Sequence, residues 1–414
     1  MDKNLIDDAK RCLQCANPKC SMGCPANTSI KEMLHMFLDG QILLAGEKLF
    51  KNNPLSLICS LVCPHEKQCE GACVLGIKER PINISGIEHY ISDYYISIMT
   101  PNYKKEVGKK AAIIGSGPAG ITIAVILASR GYDITIFEAH DKIGGVLMYG
   151  IPEFRLPKAV LSKLKAKIRE MNIKIRPNTM IGPVLTIDDL FRDGYKAVFI
   201  GTGVWKPMSL GIKGESLGHV HYAIDYLKNP EVYSLGEKLC VIGAGNVAMD
   251  VARTAIRSGI RQVAILYRGD MESIAAEKRD VEMAKIDGVK FELHKTPFEI
   301  TDDGVLYLDT VKKVDDSGKI TFVPLGDSPK LFRADSVIIS ISQGPRDNIV
   351  STTKGIEIGN KGLINTDLNG RTTRAGVFAS GDVVTGAKTV VEAVKVSKMV
   401  ADAIDEYVCR SIEK

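Results

Sequence analysis

No dense run of lysine or arginine occurs in these 414 residues, and the net charge is only +5. Nothing in that balance points to nucleic acid or to an acidic partner. The N-terminus, Met1-Asp2-Lys3-Asn4-Leu5-Ile6-Asp7-Asp8, has no apolar core, so no export signal is visible and a cytoplasmic protein is expected. The one long uncharged stretch, 111–129, has glycines 115, 117 and 120 and Pro118 near its start. A membrane span is therefore not expected there; a buried strand, a turn and a helix are. No Ser/His/Asp or Cys/His nucleophile set is apparent, and the seven histidines are scattered. His35, His65, His140 and His294 read as structural or surface residues.

Cysteine is present and unevenly placed. Eight of the ten cysteines lie in the first 73 residues, as Cys12, Cys15, Cys20, Cys24 and then Cys59, Cys63, Cys69, Cys73. Without export, structural disulfides are disfavoured, because the cytosol keeps thiols reduced. The spacings are C-x2-C-x4-C-x3-C-P and C-x3-C-P-x4-C-x3-C. Thiolates in a tight loop joined by a distant one are what iron–sulfur clusters require. A pair of zinc sites is the alternative, since zinc also takes four thiolates. Only Cys12-x-x-Cys15 has the zinc-ribbon form, and both blocks carry Cys-Pro, which favours clusters.

Helical spacing of Ile30, Met33, Leu34 and Phe37, and a further helix over 84–99, make residues 1–105 an all-α segment, with 101–105 as a linker. From Lys109 the grammar changes to strand, glycine turn, helix, strand: 111–115, 119–129, 133–138. It repeats at 239–243, 247–258 and 262–267, an internal duplication of one βαβ unit. Apolar strands are expected at 197–202 and 336–341, a hairpin at 305–314 and 320–323 turned by 315–318, and a last helix from about 389 to 407.

Each βαβ unit carries a dinucleotide signature. Gly115-Ser116-Gly117-Pro118-Ala119-Gly120 follows a strand and opens a helix, and Glu138 ends the next strand. The glycines admit pyrophosphate to the helix N-terminus, and the carboxylate can accept both ribose hydroxyls. Gly144-Gly145, followed by Val146, offers a second close backbone approach, as in flavin-binding members of this fold. Gly243-Ala244-Gly245-Asn246-Val247-Ala248 repeats the signature, but Leu266-Tyr267-Arg268 ends its second strand with no acid. Arg268 can pair with a 2′-phosphate and so favours NADPH; a solvated surface arginine is the alternative. Near the C-terminus Gly381-Asp382 follows a strand, where an Asp can hydrogen-bond a flavin ribityl chain. The expected architecture is thus an N-terminal all-α iron–sulfur domain, then two Rossmann-like α/β domains, the second inserted in the first. The boundaries are 1–105 for two [4Fe–4S] clusters, 106–235 with 335–414 for FAD, and 236–334 for NAD(P)H.

With these residues assembled, the chain resembles the small-subunit family of bacterial glutamate synthase, which includes the N-terminal half of dihydropyrimidine dehydrogenase. The likeness rests on the cysteine blocks, Gly150-Ile151-Pro152-Glu153-Phe154-Arg155-Leu156-Pro157, Asn246-Val247-Ala248-Met249-Asp250 and Gly381-Asp382. Lys388-Thr389-Val390-Val391 and the overall length are most like the electron-input subunit of the bacterial NAD(P)-dependent dihydropyrimidine dehydrogenase. The resemblance implies crossed ligation: Cys12, Cys15, Cys20 and Cys73 on one cluster; Cys24, Cys63, Cys69 and Glu88 on the other, with Cys59 a bystander. The residues alone would make Cys59 a ligand and Glu88 a surface helix residue. The resemblance also implies flavin contacts from Arg155 and from the backbone of Lys388, Thr389 and Val390. One departure concerns the nicotinamide. Where the family usually has a second basic residue, Gly269 and Asp270 stand here, which leaves NADH open beside NADPH.

The implied function is an electron-input subunit. NAD(P)H would reduce FAD, and the clusters would conduct single electrons to a catalytic partner: an FMN-barrel dehydrogenase, a glutamate synthase large subunit or ferredoxin. A stand-alone ferredoxin:NAD(P)H oxidoreductase is the first alternative. A thioredoxin-reductase type would need a CxxC near the nicotinamide site, where only Cys240 lies. A zinc-bearing NAD(P)H-sensing scaffold is the alternative of another class.

Overall fold

The computed structural model describes residues 2–101, 105–315 and 317–412. Residues 102–104 of the expected linker and Asp316 of the hairpin turn lie outside the described residues. The chain divides into two compact units. One comprises Met1–Met148, Glu153–Val204 and Gly344–Lys414; the other comprises Tyr149–Pro152 and Trp205–Gln343.

The first unit begins with helices, chiefly Lys3–Lys10, Ile30–Leu38, Ile42–Asn52, Ser56–Val62 and Ile84–Ile98. Their apolar positions recur at helical spacing and meet in one core that includes Leu34, Phe37, Leu49, Ile87 and Ile91. Between these helices the backbone is irregular, broken by two short 3-10 turns, His65–Lys67 and Val74–Ile77.

A five-stranded parallel sheet follows, in the order Val377–Ala379, Ala197–Ile200, Lys110–Ile114, Asp133–Phe137, Lys174–Arg176. These strands are almost continuously apolar because both faces of a parallel sheet are covered. Pairing of Val377–Ala379 with Ala197–Ile200 brings the end of the chain back beside its first glycine turn. The stretch 111–129 is a strand and a 12-residue helix, Pro118–Ser129. Among the described residues no helix is long and apolar enough to cross a membrane.

The second unit repeats the plan, in the order Val220–Tyr222, Ser336–Ile339, Lys238–Ile242, Gln262–Leu266, Lys290–Glu292. In both sheets the strand feeding the glycine turn is central. The expected hairpin is present as Gly304–Val314 against Ile320–Pro324, within a small antiparallel sheet. The boundaries differ from the sequence expectation. Residues 205–235 and 335–343 were expected in the flavin domain, yet Val220–Tyr222 and Ser336–Ile339 pair into the second sheet. Val220–Tyr222 is a short half-buried strand and Ser336–Ile339 a fully buried one, and neither sequence reveals which sheet it joins.

Phe199, fully buried at the centre of the first sheet, tests the core. Phe199→Ala should destabilise the first unit by about 3–5 kcal/mol. Circular dichroism melts would show a clearly lowered transition midpoint; an unchanged one would contradict the packing.

Candidate cofactor sites

Donors from the two cysteine blocks interleave. Cys12 and Cys15 lie in the loop after Lys3–Lys10, Cys20 lies in the short helix Lys19–Gly23, and Cys73 precedes the turn Val74–Ile77. Together with Leu34, Ile82 and Ile84 these four cysteines line a recess of about 430 Å³, its open mouth included. Burial pushes the Cys20 thiol up; Cys73 and Cys12 add to this against a pull from the Ser21 backbone.

The second group is Cys24, Cys63, Cys69 and Glu88. Glu88, on the helix Ile84–Ile98, is only 8% exposed. Its carboxyl is pushed up to about 8, by burial first and then by Glu70. Burial also raises the Cys69 thiol, with Glu88, Glu70 and Cys24 adding to it. Cys63 is raised by a hydrogen bond with Cys59, then by burial, Glu88 and Cys69. The irregular loop between them is tied at one point: the His65 carbonyl accepts from Gln68, Glu70 and Gly71 N–H groups at 3.0–3.1 Å. Buried Asp8 pins the far side, bonding Arg11 at 2.6 Å, Arg80 at 3.0 Å and the Asn83 N–H at 2.6 Å.

This geometry suits clusters. Eight donors fall into two sets of four, each drawn from both cysteine blocks, the second adding Glu88 from a helix. A cluster takes thiolates, so its insertion would release the protons that burial favours on Cys20, Cys63, Cys69 and Glu88. Among the described residues no three His, Cys, Asp or Glu side chains converge on a single-ion site.

The first glycine turn forms a backbone cradle. A Cβ on Gly115 would stand 2.6 Å from the Gly201 carbonyl oxygen, and one on Gly120 would stand 2.0 Å from that of Gly115. Gly145 crosses above, where a Cβ would lie 2.8 Å from the Gly117 Cα. Only hydrogen fits at these points, which leaves the start of the helix Pro118–Ser129 open to a phosphate. Glu138 is 5% exposed at the end of the second strand. Its carboxylate accepts from the Ser116 N–H at 3.0 Å, the Ser116 hydroxyl and the His140 N–H at 2.9 Å. Burial alone would raise its pKa, but hydrogen bonds from His140 and Ser116 outweigh it and hold the group below its ordinary value. His140, expected to be structural or surface, therefore supports the carboxylate meant for ribose. Asp382 follows Gly381 and accepts from the Lys388 N–H at 3.2 Å. Burial pushes its carboxyl up to about 6 against that pull. Thr389 caps the helix Val390–Ile412 with Glu392, and Arg155 sits half-buried in the turn after Glu153.

The second glycine turn sits in the other unit. A Cβ on Gly243 would meet the Ser340 carbonyl oxygen at 2.2 Å, and Gly245 caps the helix Asn246–Arg257, whose first turn holds Val247 and buried Ala248. Ala244 accepts from the Ala276 N–H at 3.2 Å, and Asn246 Oδ1 from the Glu277 N–H at 2.8 Å, so residues 276–277 cover the turn. Arg268 is exposed at the strand end, its carbonyl accepting from the Thr310 hydroxyl at 2.6 Å. Asp270 is engaged elsewhere. Ser273 and Lys312 hold its carboxylate down to about 2, with Lys312 Nζ at 3.1 Å.

The sequence relatives match these features. A family model described as dihydropyrimidine dehydrogenase domain II, 4Fe-4S cluster, matches residues 1–99, and one described as pyridine nucleotide-disulphide oxidoreductase matches 109–397. The glutamate synthase [NADPH] small chain of Escherichia coli is 32% identical, covering 96% of this chain and 90% of its own length. The chain belongs to the glutamate synthase small-chain family.

Within that family, the NAD-dependent dihydropyrimidine dehydrogenase subunit PreT of Escherichia coli is similar at 33% identity, over 97% of this chain and 94% of its own. Among solved structures, Mycobacterium tuberculosis FprA in complex with NADPH aligns with a TM-score of 0.62. It covers 74% of this chain and 86% of that one at 18% identity, a likeness of fold alone. This small-chain relative is an oxidoreductase with FAD, NAD(P)H and [4Fe–4S] cofactors. Cys240 is fully buried in its strand and is the sole cysteine of the second unit, so that unit holds no dithiol.

Two predictions follow the site geometry. Glu88→Ala should lose or alter one cluster, seen as a changed iron and acid-labile sulfide count or a changed spectrum of the reduced protein, whereas Cys59→Ser should keep both; the reverse pattern would exchange their roles. Asp382, raised above its unfolded value, favours folding only while protonated, so its contribution is lost as pH climbs through about 6. Asp382→Asn should therefore raise the melting temperature of flavin-free protein at pH 8 and leave it nearly unchanged at pH 4.

Proposed function

We propose that this chain is the electron-input subunit of an oxidoreductase complex, accepting reducing equivalents from NAD(P)H and delivering them singly to a catalytic partner. The observation that carries this is the placement of both donor sets in the same compact unit as the flavin cradle. When bound, FAD would exchange electron pairs with the nicotinamide, and the clusters would exchange single electrons with the partner.

The chain's own residues supply binding and electrostatics. Gly115, Gly117, Pro118, Ala119 and Gly120 present the helix N-terminus to pyrophosphate, Glu138 holds ribose, and Asp382, Arg155 and the Lys388–Val390 backbone would orient the flavin. Cys12, Cys15, Cys20 and Cys73 would hold one cluster; Cys24, Cys63, Cys69 and Glu88 the other. We read the second unit as the nicotinamide domain, inserted in the flavin domain, with Gly243, Ala244, Gly245, Asn246 and Val247 at the pyrophosphate. Arg268 favours NADPH over NADH, because it is an exposed cation and Asp270 is turned toward Lys312.

A dihydropyrimidine dehydrogenase or glutamate synthase partner fits this reading. Anaerobic purification with identification of co-purifying subunits would distinguish them, and a chain recovered alone would favour a ferredoxin reductase. With FAD bound, NADPH should reduce an artificial dye, and Arg268→Ala should lower kcat/KM for NADPH roughly tenfold while sparing NADH. No dye reduction by either nicotinamide would refute the assignment.

A further inference from the structure

The helix Val390–Ile412 carries a lysine that none of these roles uses. Lys398 is half-buried and lies two turns beyond the start of that helix, about 12 Å along its axis. Its Nζ donates to Asn52 Oδ1 at 2.6 Å and to the Ala26 carbonyl at 3.3 Å. Asn52 Nδ2 in turn donates to the Ala26 carbonyl at 3.3 Å and to the hydroxyl oxygen of buried Thr28 at 3.4 Å. Thr28 Oγ1 lies 3.4 Å from Cys24 Sγ.

The amide orientation is fixed by its partners. An ammonium can only donate and a carbonyl can only accept, so Asn52 must face its oxygen to Lys398 and its nitrogen to Ala26. Once Cys24 is a thiolate, the Thr28 hydroxyl becomes its donor, since its oxygen already accepts from Asn52. The result is a polarised relay that runs from ammonium to amide to hydroxyl to sulfur, each bond strengthening the next. Burial lowers the Lys398 pKa from its ordinary value, and Cys24 and Asp402 oppose that shift in part. Asp402 itself is paired with Arg130 at 2.5 Å.

We propose that Lys398 is a positioning residue that raises the reduction potential of the cluster held by Cys24, acting through Asn52 and Thr28. Reduction adds negative charge to the cluster. A nearby cation, and hydrogen bonds to the ligand sulfur, both stabilise that added charge. The helix that leaves the flavin cradle thus also biases the cluster, so an electron arriving from the flavin finds a more favourable acceptor. This inference rests on the cluster assignment above.

The test uses the cluster-loaded, flavin-loaded full chain. Redox titration followed by electron paramagnetic resonance should show two reduction waves. Lys398→Met should shift one wave to lower potential and leave the other in place, with the reduced-to-oxidised ratio at fixed potential falling roughly threefold to tenfold. Tenfold corresponds to about 59 mV for a one-electron couple. Lys398→Arg should restore most of the shift, and Asn52→Leu should reproduce part of it. Unmoved waves in a Lys398→Met protein of full iron and sulfide content would overturn the proposal. Equal iron loss in Lys398→Met and Lys398→Arg would also overturn it, by showing a packing role only. A wild-type protein without iron and labile sulfide would instead overturn the cluster assignment itself.

Discussion

Burying Glu88 beside Cys63 and Cys69 is the constraint on which the cluster region turns. Burial raises that carboxyl to about 8 and raises both thiols beside it, so all three favour their neutral forms. Neutral donors can share an apolar wall; four anions cannot, unless cations arrive with the loss of protons. Assembly of the metal site and ionisation of its donors are therefore one event. The surrounding backbone must be in place beforehand, and the chain arranges this with ordinary polar contacts. Asp8 holds Arg11 and Arg80, and the His65 carbonyl gathers three N–H groups. The donors converge from four sequence-distant segments because those ties fix the loops.

The long C-terminal helix joins this region to the flavin cradle. It lies along Pro118–Ser129, the helix whose N-terminus opens the cradle, and touches Ser56–Val62, which Cys63 terminates. Arg130 pairs with Asp402 and Asp405, and the Tyr132 hydroxyl donates to Asp405 at 2.8 Å. These contacts fix the rotation of the helix about its axis. Lys398 consequently faces Asn52, while Thr389 and Glu392 cap the start of the same helix.

The glycine turns were legible in the sequence because their cause is local: a carbonyl stands where a Cβ would be. Strand and helix positions followed from periodicity for the same reason. Sheet membership was not legible for Val220–Tyr222 and Ser336–Ile339, since partner choice is a long-range matter that apolar strands do not encode individually. Glu88 and Cys59 show the same limit at a site. Both lie on helices, and neither local sequence reveals that Glu88 is buried beside Cys63 and Cys69 or that Cys59 bonds with Cys63. His140 is structural, as expected, although a lone histidine gives no sign of which carboxylate folds against it. Lys398 gave no sign at all, its partners lying some 350 positions away.

The two dinucleotide loops look alike in sequence, yet their chemistry makes them unequal. Both first glycines are pressed against the carbonyl leaving the neighbouring strand, Gly201 in one sheet and Ser340 in the other, so the same strand order imposes the same residue. The third position differs. Gly120 has no room for a methyl, whereas Ala248 occupies the corresponding place and is fully buried. The strand ends differ more. Glu138, buried and held ionised by Ser116 and His140, would repel a 2′-phosphate, while exposed Arg268 would attract one. The two βαβ units thus end in opposite charges, a buried carboxylate in the first and an exposed guanidinium in the second.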